Sequence, residues 1–340
     1  MSSKNRVALV AGGAGFIGSH LCEFLLKRNW QVVCVDNLIT GSKENIEHLE
    51  EKQGFRFVEC DVTKPRFVRI CQGLKLNLIF NLASPASPRD YLNLPIETLT
   101  VGALGTKNLL ELARQNRAIF IQGSTSEVYG DPKEHPQSES YWGNVNPVGE
   151  RSVYNEAKRF GEALVIAYHR RFNLPVRIAR IFNTYGPRMK LNDGRIVPTL
   201  IYQALTNRPL TIFGTGRQTR SFCYVSDMIT GLYRLIECPD PFPINLGNPE
   251  ERTILEFARI IRKLTGSKSP LLFHPLPTDD PKRRRPDIRR ARKLLDWHPT
   301  IKLEKGLKLT IDWFRRKVAN EGVRAFGIKA RLKPCPTGEK

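Results

Sequence analysis

The sequence predicts an α/β protein with a Rossmann-type doubly wound parallel sheet and a smaller mixed α/β lobe toward the C-terminus. Three observations carry that expectation. Short apolar runs alternate with amphipathic stretches through the first half of the chain, the first run ends in a glycine-rich turn, and the second ends in an acid eighteen residues after the last glycine of that turn. With 340 residues the chain can bury a large core without disulfide or metal staples.

Arg6 to Ala11 is a short apolar strand, followed by Gly12-Gly13-Ala14-Gly15-Phe16-Ile17-Gly18 and an amphipathic helix from Phe16 to Lys27. Glycines at 12, 15 and 18 let backbone N–H groups approach a pyrophosphate at the positive end of that helix, and Gly18 lets helix and strand pack closely. The spacing G-x-x-G-x-x-G differs from the usual dinucleotide fingerprint, so its weight comes from the strand before it and the helix after it. A second strand, Gln31 to Val35, ends in Asp36, where a carboxylate accepts hydrogen bonds from ribose hydroxyls and repels the 2′-phosphate of NADP, which selects NAD. Phe55 to Cys60 is a third strand closing on Asp61-Val62, with Asp61 either at the adenine or serving its own turn. Leu76 to Leu82 is a fourth strand closing on Ala83-Ser84, Leu94 to Gln115 has helical period, and Ala118 to Gln122 is a fifth strand. Strands and helices alternating at these lengths imply a parallel sheet covered on both faces, with ligands at the carboxyl ends of its strands.

The fifth strand runs into Gly123-Ser124-Thr125-Ser126-Glu127, where Thr125 can hydrogen-bond a reacting hydroxyl and Glu127 offers a carboxylate for proton traffic. Tyr154 and Lys158 stand at i and i+4, on one face of the next helix. A nearby ammonium favours phenolate over an unperturbed tyrosine pKa of about 10, which makes a base. Tyr-x-x-x-Lys alone is a common spacing, equally a surface tyrosine beside a lysine. The glycine turn, Asp36 and Thr125 give it meaning as a nicotinamide-dependent redox pair. Val176 to Ile181 is the sixth strand.

Bulk properties narrow the setting. The net charge of +21 suits an acidic substrate or a polyanionic partner. No RNA-binding signature or basic-aromatic alternation appears, which argues against nucleic acid. Seven cysteines form no Cys-x-x-Cys pair and six histidines have no metal-ligand spacing, so a reduced, cytoplasmic protein without a metal is expected. No apolar run approaches the ~20 residues that cross a bilayer, and the strand pattern begins too early for a signal peptide.

Longer motifs are more specific. Asn81-Leu82-Ala83-Ser84-Pro85-Ala86-Ser87-Pro88, Ser124-Thr125-Ser126-Glu127-Val128-Tyr129-Gly130-Asp131-Pro132, His135-Pro136-Gln137-Ser138-Glu139, Ala179-Arg180-Ile181-Phe182-Asn183-Thr184-Tyr185-Gly186-Pro187-Arg188-Met189, Asn192-Asp193-Gly194-Arg195, Gln218-Thr219-Arg220 and Asn245-Leu246-Gly247-Asn248-Pro249-Glu250 span nearly the whole chain. On these stretches it resembles the extended short-chain dehydrogenase/reductase superfamily and, within it, the UDP-glucuronic acid decarboxylase (UDP-xylose synthase) family. Ala11, Asn155 and Ala157 depart from the family's threonine, aspartate and glycine, and none of them touches a catalytic role. Glu50 to Gln72 reads as insertion-like against that pattern.

The resemblance implies an NAD-binding domain over residues 1–182, a nucleotide-sugar lobe over 183–320 interleaved with it, and a basic, poorly ordered tail over 321–340. After Asn183, strands are expected at Pro209 to Phe213 and Phe222 to Val225, and helices at Ser226 to Glu237, Ile254 to Leu264, Ile288 to Trp297 and Leu303 to Val318. It further implies NAD on Gly12, Gly15, Phe16, Ile17, Gly18, Asp36, Asn37, Asp61, Val62, Leu82, Ala83, Tyr154 and Lys158, and a UDP-sugar on Pro85, Arg89, Tyr91, Ser126, Asn183, Arg188, Val197, Arg220, Asn245 and Arg284. Arg283 or Arg285 are alternatives to Arg284, since the run is also a plausible solvated basic face.

The implied chemistry is redox-neutral. Tyr154 takes the proton of the sugar 4-hydroxyl as C4 is oxidised by NAD, Thr125 orients that hydroxyl, and Lys158 lowers the tyrosine pKa and holds the nicotinamide ribose. The carboxylate is then that of a β-keto acid and leaves as carbon dioxide, with Arg284 and Glu127 positioning it and managing the proton returning to C5. The restored C4 hydroxyl gives UDP-xylose. A C4 epimerase, a UDP-apiose/xylose synthase or an oxidative decarboxylase shares these parts, whereas Ser126 speaks against a 4,6-dehydratase, which usually has an aspartate there. An RNA-binding protein on an idle dehydrogenase fold is the alternative of another class. The resemblance also implies a homodimer packed through Leu94 to Gln115 and Tyr154 to Phe172.

Overall fold

The computed structural model describes residues 6–191, 193–275 and 283–331, with 321–331 as helical backbone only. The expected tail from 332 on, together with Cys335 and Asn192, lies outside the described residues.

Val7–Ala11 (β1) is an almost fully buried run, as a central parallel strand covered on both faces must be. It leads through the glycine turn into Phe16–Leu26 (α1) and Gln31–Asp36 (β2). Phe55–Glu59 (β3), Leu78–Asn81 (β4), Ile119–Thr125 (β5) and Val176–Ile181 (β6) follow. A seventh strand comes from far along the chain, Pro243–Leu246. The spatial order is Pro243–Leu246, β6, β5, β4, β1, β2, β3, and every pairing is parallel. The order reverses between β1 and β4, and the crevice beyond their carboxyl ends is where such sheets bind ligands.

Alternate residues of β1 feed two separate cores. Ala8 and Val10 join the apolar layer shared with α1 and the C-terminal helices, while Leu9 and Ala11 join the layer on the opposite face. Glu50 to Gln72 supplies edge strand β3 and the helix Pro65–Cys71 that returns the chain toward β4. β5 runs to Thr125 rather than stopping at Gln122, because Ser124 and Thr125 remain paired with Arg180 and Ile181 of β6. The expected helix over Leu94 to Gln115 is interrupted. Helical turns at Pro95–Thr100 and Thr106–Asn116 flank a π-helical segment, Val101–Gly105. There Gly102 presses on the helix Ser152–Phe172, so closely that a Cβ would sit 2.7 Å from that of Ala157. That contact fixes the helix carrying Tyr154 and Lys158.

The C-terminal part builds small sheets beyond the carboxyl ends of the main one. Thr219–Ser221 pairs antiparallel with Glu251–Thr253 and parallel with Arg283–Arg284, which sets Arg220 opposite Arg284. The expected strand Phe222 to Val225 is shorter, Cys223–Tyr224, since Val225 already begins the helix Val225–Arg234. A helix that the sequence reading did not anticipate, Ile196–Leu205, lies over the crevice, and the last helix extends beyond Val318 to Arg331. Asp227 ties this region together. It accepts the Thr300 and Ile301 N–H groups at 3.0 and 2.8 Å, and its own carbonyl accepts the Trp297 indole N–H at 2.9 Å.

Candidate active site

One cleft of about 970 Å³ runs along the carboxyl ends of β1, β4, β5 and β6 and under the helix Ile196–Leu205. At its centre the end of β5 and the helix Ser152–Phe172 bring Thr125, Tyr154 and Lys158 together, all three buried. Thr125 and the Tyr154 phenol face the same cleft, and the Tyr91 ring lies flat against that of Tyr154, centroids 5.0 Å apart. Thr125 Oγ1 also accepts the Glu127 N–H at 3.2 Å, which caps the tight turn Ser126–Tyr129.

The expectation that Lys158 makes Tyr154 a phenolate near neutral pH is not met in the protein alone. Lys158 Nζ donates to the Gly123 carbonyl at 2.9 Å and stands 5.8 Å from the Tyr154 ring centroid. Burial dominates both groups. It pushes the phenol up to about 12 against the pull of Thr125, and it pushes the ammonium down to about 8.

Beside the tyrosine, Glu127 bridges two guanidinium groups. Arg284 bonds Oε1, and Arg151 donates to Oε2 at 2.8 Å. Burial alone would raise the Glu127 carboxyl, but the two arginines outweigh it and hold it down to about 2. Arg284 points inward between Arg283 and Arg285, as alternation along a strand requires, and its Nε and one NH2 nitrogen are buried without a partner. Arg283 is exposed, and Arg285 faces Glu251 at 3.9 Å. Arg220 stands next to Arg284 and lines the same cleft.

At the other end, the turn after β1 excludes a Cβ at Gly12 and at Gly18. Gly12 has φ +76°, and a Cβ there would meet the Leu82 backbone at 2.7 Å, while a Cβ on Gly18 would meet the Gly12 carbonyl at 2.1 Å. α1 begins at Gly15 with no side-chain cap and no acid in its first turn, leaving its N–H groups to the cleft.

A model of the NAD dependent epimerase/dehydratase family matches residues 8–247. The chain belongs to that family. UDP-glucuronic acid decarboxylase 1 of Danio rerio is 48% identical over 337 residues, covering 98% of this chain and 79% of the relative. UDP-glucuronic acid decarboxylase 1 of Arabidopsis thaliana is 47% identical over 313 residues, covering 92% and 71%. Among solved structures, UDP-glucuronic acid 4-epimerase from Bacillus cereus in complex with UDP-glucuronic acid and NAD superposes with a TM-score of 0.82 at 32% identity, covering 92% of this chain and 99% of that one. UDP-glucose 4-epimerase from Thermotoga maritima, with UDP-glucose, gives 0.85 at 28%, with the same coverages.

The glycine cradle suits the dinucleotide of this epimerase/dehydratase family, since uncapped N–H groups and a backbone with no Cβ admit a pyrophosphate where side chains would exclude it. Of the residues expected at the cofactor, Gly12, Gly15, Phe16, Ile17, Gly18, Leu82, Tyr154 and Lys158 line the cleft. Asp36, Asn37, Asp61, Val62 and Ala83 are not among the residues that line it. Asp36 accepts the Ala14 and Leu38 N–H groups at 3.0 and 2.8 Å, bracing the glycine turn from below, and burial raises its carboxyl. Asp61 is taken up by Thr63, through N–H at 2.8 Å and hydroxyl at 2.7 Å.

Of the residues expected at the substrate, Tyr91, Ser126, Asn183, Arg188, Val197, Arg220 and Arg284 line the cleft. Pro85 and Arg89 do not. Asn245 is fully buried outside it: its amide donates to the Gln137 and Asp287 carbonyls at 3.0 and 3.1 Å and accepts the Tyr129 hydroxyl at 2.7 Å. Arg188 is held by Glu23 and His48, which ties the loop after β6 to α1.

Sequence reasoning missed Arg151 and Arg195. Arg151 stands three residues before Tyr154, a spacing that puts both on one helix face. Arg195 lies in one of the quoted motifs, pairs with Asp193 and acts electrostatically on Tyr154. No cluster of His, Cys, Asp or Glu among the described residues could hold a metal ion, and no helix among them is long and apolar enough to cross a membrane.

Proposed function

We propose that the protein decarboxylates UDP-glucuronic acid to UDP-xylose with NAD as a recycled cofactor. The observation that carries the reading is Arg284, which lines the same cleft as Tyr154 and Thr125 and whose guanidinium keeps two buried nitrogens without partners. Unpaired buried donors of this kind call for an anionic acceptor, and a sugar carboxylate supplies one. The decarboxylases at 47–48% identity over more than nine-tenths of the chain support the same reading.

When bound, NAD supplies reversible oxidation at the sugar C4. The protein's own groups do the rest. Tyr154, beside Thr125 in the cleft, exchanges the proton of the 4-hydroxyl, and Lys158, held on the Gly123 carbonyl at the end of β5 and still protonated below its value of about 8, supplies positive charge to the site. Arg284, with Arg220 beside it, orients the carboxylate so that the bond to carbon dioxide lies where its electrons can flow into the C4 ketone as an enolate. Glu127 holds Arg284 in place, and a proton then reaches C5. Residues 1–182 would carry most of the cofactor site and 183–320 most of the sugar site, interleaved through the seventh strand.

A homodimer is part of the proposal, supported by Ile96, Leu99, Leu104 and Phe160, exposed on the paired helices beside the site. A cytoplasmic setting is supported by six buried, unbridged cysteines.

Purified protein given UDP-glucuronic acid is expected to release carbon dioxide and form UDP-xylose without accumulating NADH, and Tyr154→Phe is expected to abolish turnover while NAD still binds. Stoichiometric NADH would instead identify an oxidative decarboxylase, and UDP-galacturonic acid an epimerase. Full activity in Tyr154→Phe would overturn the mechanism.

A further inference from the structure

Glu127 and Arg151 form a partition. One side faces the main cleft, and the other faces a second cavity of about 270 Å³ bounded by Gly130, Asn144, Val145 and Asn155. Asn155 stands one residue past Tyr154 and one helical turn past Arg151, and it lines the second cavity rather than the cleft. It is only 6% exposed, and its Oδ1 is buried with no hydrogen-bond partner. An amide oxygen left so is destabilising unless a small donor meets it. Water is the donor that fits, since at ~30 Å³ each several waters can stand in a space this size and find the two to four polar partners they need.

The chemistry proposed above has a matching requirement. The carboxylate leaves as neutral carbon dioxide, so each turnover takes up one proton: the electron pair of the broken C–C bond passes into the enolate, and a new C5–H bond forms from it. Glu127 cannot be the source. Its carboxyl is held at about 2, and both of its oxygens already accept from arginines. Each oxygen retains a lone pair for a water hydrogen.

We propose that the second cavity is a water antechamber behind Glu127, and that Asn155 is a positioning residue holding the water through which solvent protons reach C5. A water O–H bond breaks as C5–H forms, and the hydroxide left behind is neutralised along the water chain from bulk solvent. This inference rests on the decarboxylase reading, and its test separates the two.

The full-length protein is assayed first for carbon dioxide release from UDP-glucuronic acid. None from the wild type refutes the function itself. Given that activity, Asn155→Leu is expected to lower kcat about tenfold, short of the ~100-fold or more that a positioned proton donor supplies, because bulk water still enters. It should also enlarge the solvent deuterium isotope effect on kcat and raise the steady-state absorbance of enzyme-bound reduced cofactor. Asn155→Asp, which keeps an acceptor, should stay near wild type. Val145→Trp, which fills the cavity from its loop side and leaves Asn155 itself unchanged, should reproduce the leucine variant and carries the test if that variant fails to fold. A wild-type kcat and isotope effect in Asn155→Leu or Val145→Trp overturns the inference. So does a slower enzyme with an unchanged isotope effect and no added reduced cofactor.

Discussion

Replacing Glu127 with Gln keeps the shape of the side chain and removes the charge shared by Arg284 and Arg151. The Arg284 side chain is 4% exposed and that of Glu127 15%, so the amide would leave a guanidinium buried without its counter-ion. Loss of one partner from a buried pair costs ~3–5 kcal/mol. The drop of the Glu127 carboxyl from 4.5 to about 2 gives a second route to the size: at ~1.36 kcal/mol per pH unit it corresponds to about 3 kcal/mol. The sign is that of a depressed acid. Stability from this group is complete above the unfolded value of 4.5 and is lost as pH falls from there through about 2. Urea unfolding of wild type and Glu127→Gln should differ by about 3 kcal/mol at pH 7, and by roughly half of that at pH 3. A gap below ~1 kcal/mol at pH 7, or one that does not shrink with acid, would refute the view that Glu127 acts as an ionised brace.

Two further outcomes follow from the geometry. Gly18→Ala would place a Cβ 2.1 Å from the Gly12 carbonyl, so the glycine turn must open; calorimetric titration should show NAD affinity reduced at least ~10-fold, and unchanged affinity would count against the cradle. Lys158 carries the opposite sign from Glu127. Its folded value of about 8 lies below the unfolded 10.5, so the unfolded chain holds more protons between those limits and this group's contribution to stability rises with pH there, by up to about 3 kcal/mol. Urea unfolding at pH 7.5 and 9.5 should show that rise reduced in Lys158→Met, and an identical pH dependence in both proteins would contradict it.

β1, β2 and β4 were legible because a central parallel strand is a nearly unbroken apolar run, β3 and β6 because short apolar stretches there are bounded by turn residues, and the glycines between β1 and α1 mark the turn. Where function intrudes on the pattern, legibility stops. Ser124 and Thr125 end β5 in polar residues because they face the cleft, so the strand looked shorter than it is. The helix Ile196–Leu205 was hidden by Pro198, which punctuates a sequence but sits harmlessly in a helix's first turn, where its missing N–H has no intrahelical partner to lose. Among the site residues, spacing placed Tyr154 and Lys158 together but could not give their ionisation, which burial decides. Nor could three consecutive arginines reveal which one turns inward. Strand register chose Arg284 and sent its neighbours outward. Asn245 shows the converse: a quotable motif residue can be fully spent on its own scaffold.

The late arrival of the strand Pro243–Leu246 has a consequence for how this chain is made. Until that segment emerges from the ribosome, β6 is the bare edge of a parallel sheet, with its N–H and C=O groups offered to any extended chain nearby. The nascent protein must therefore hold an adhesive edge open while the intervening residues are synthesised, and those residues include the helix that roofs the cleft. Sequential synthesis and a sheet stitched from distant segments pull against each other, and the risk of mispairing is concentrated in that interval.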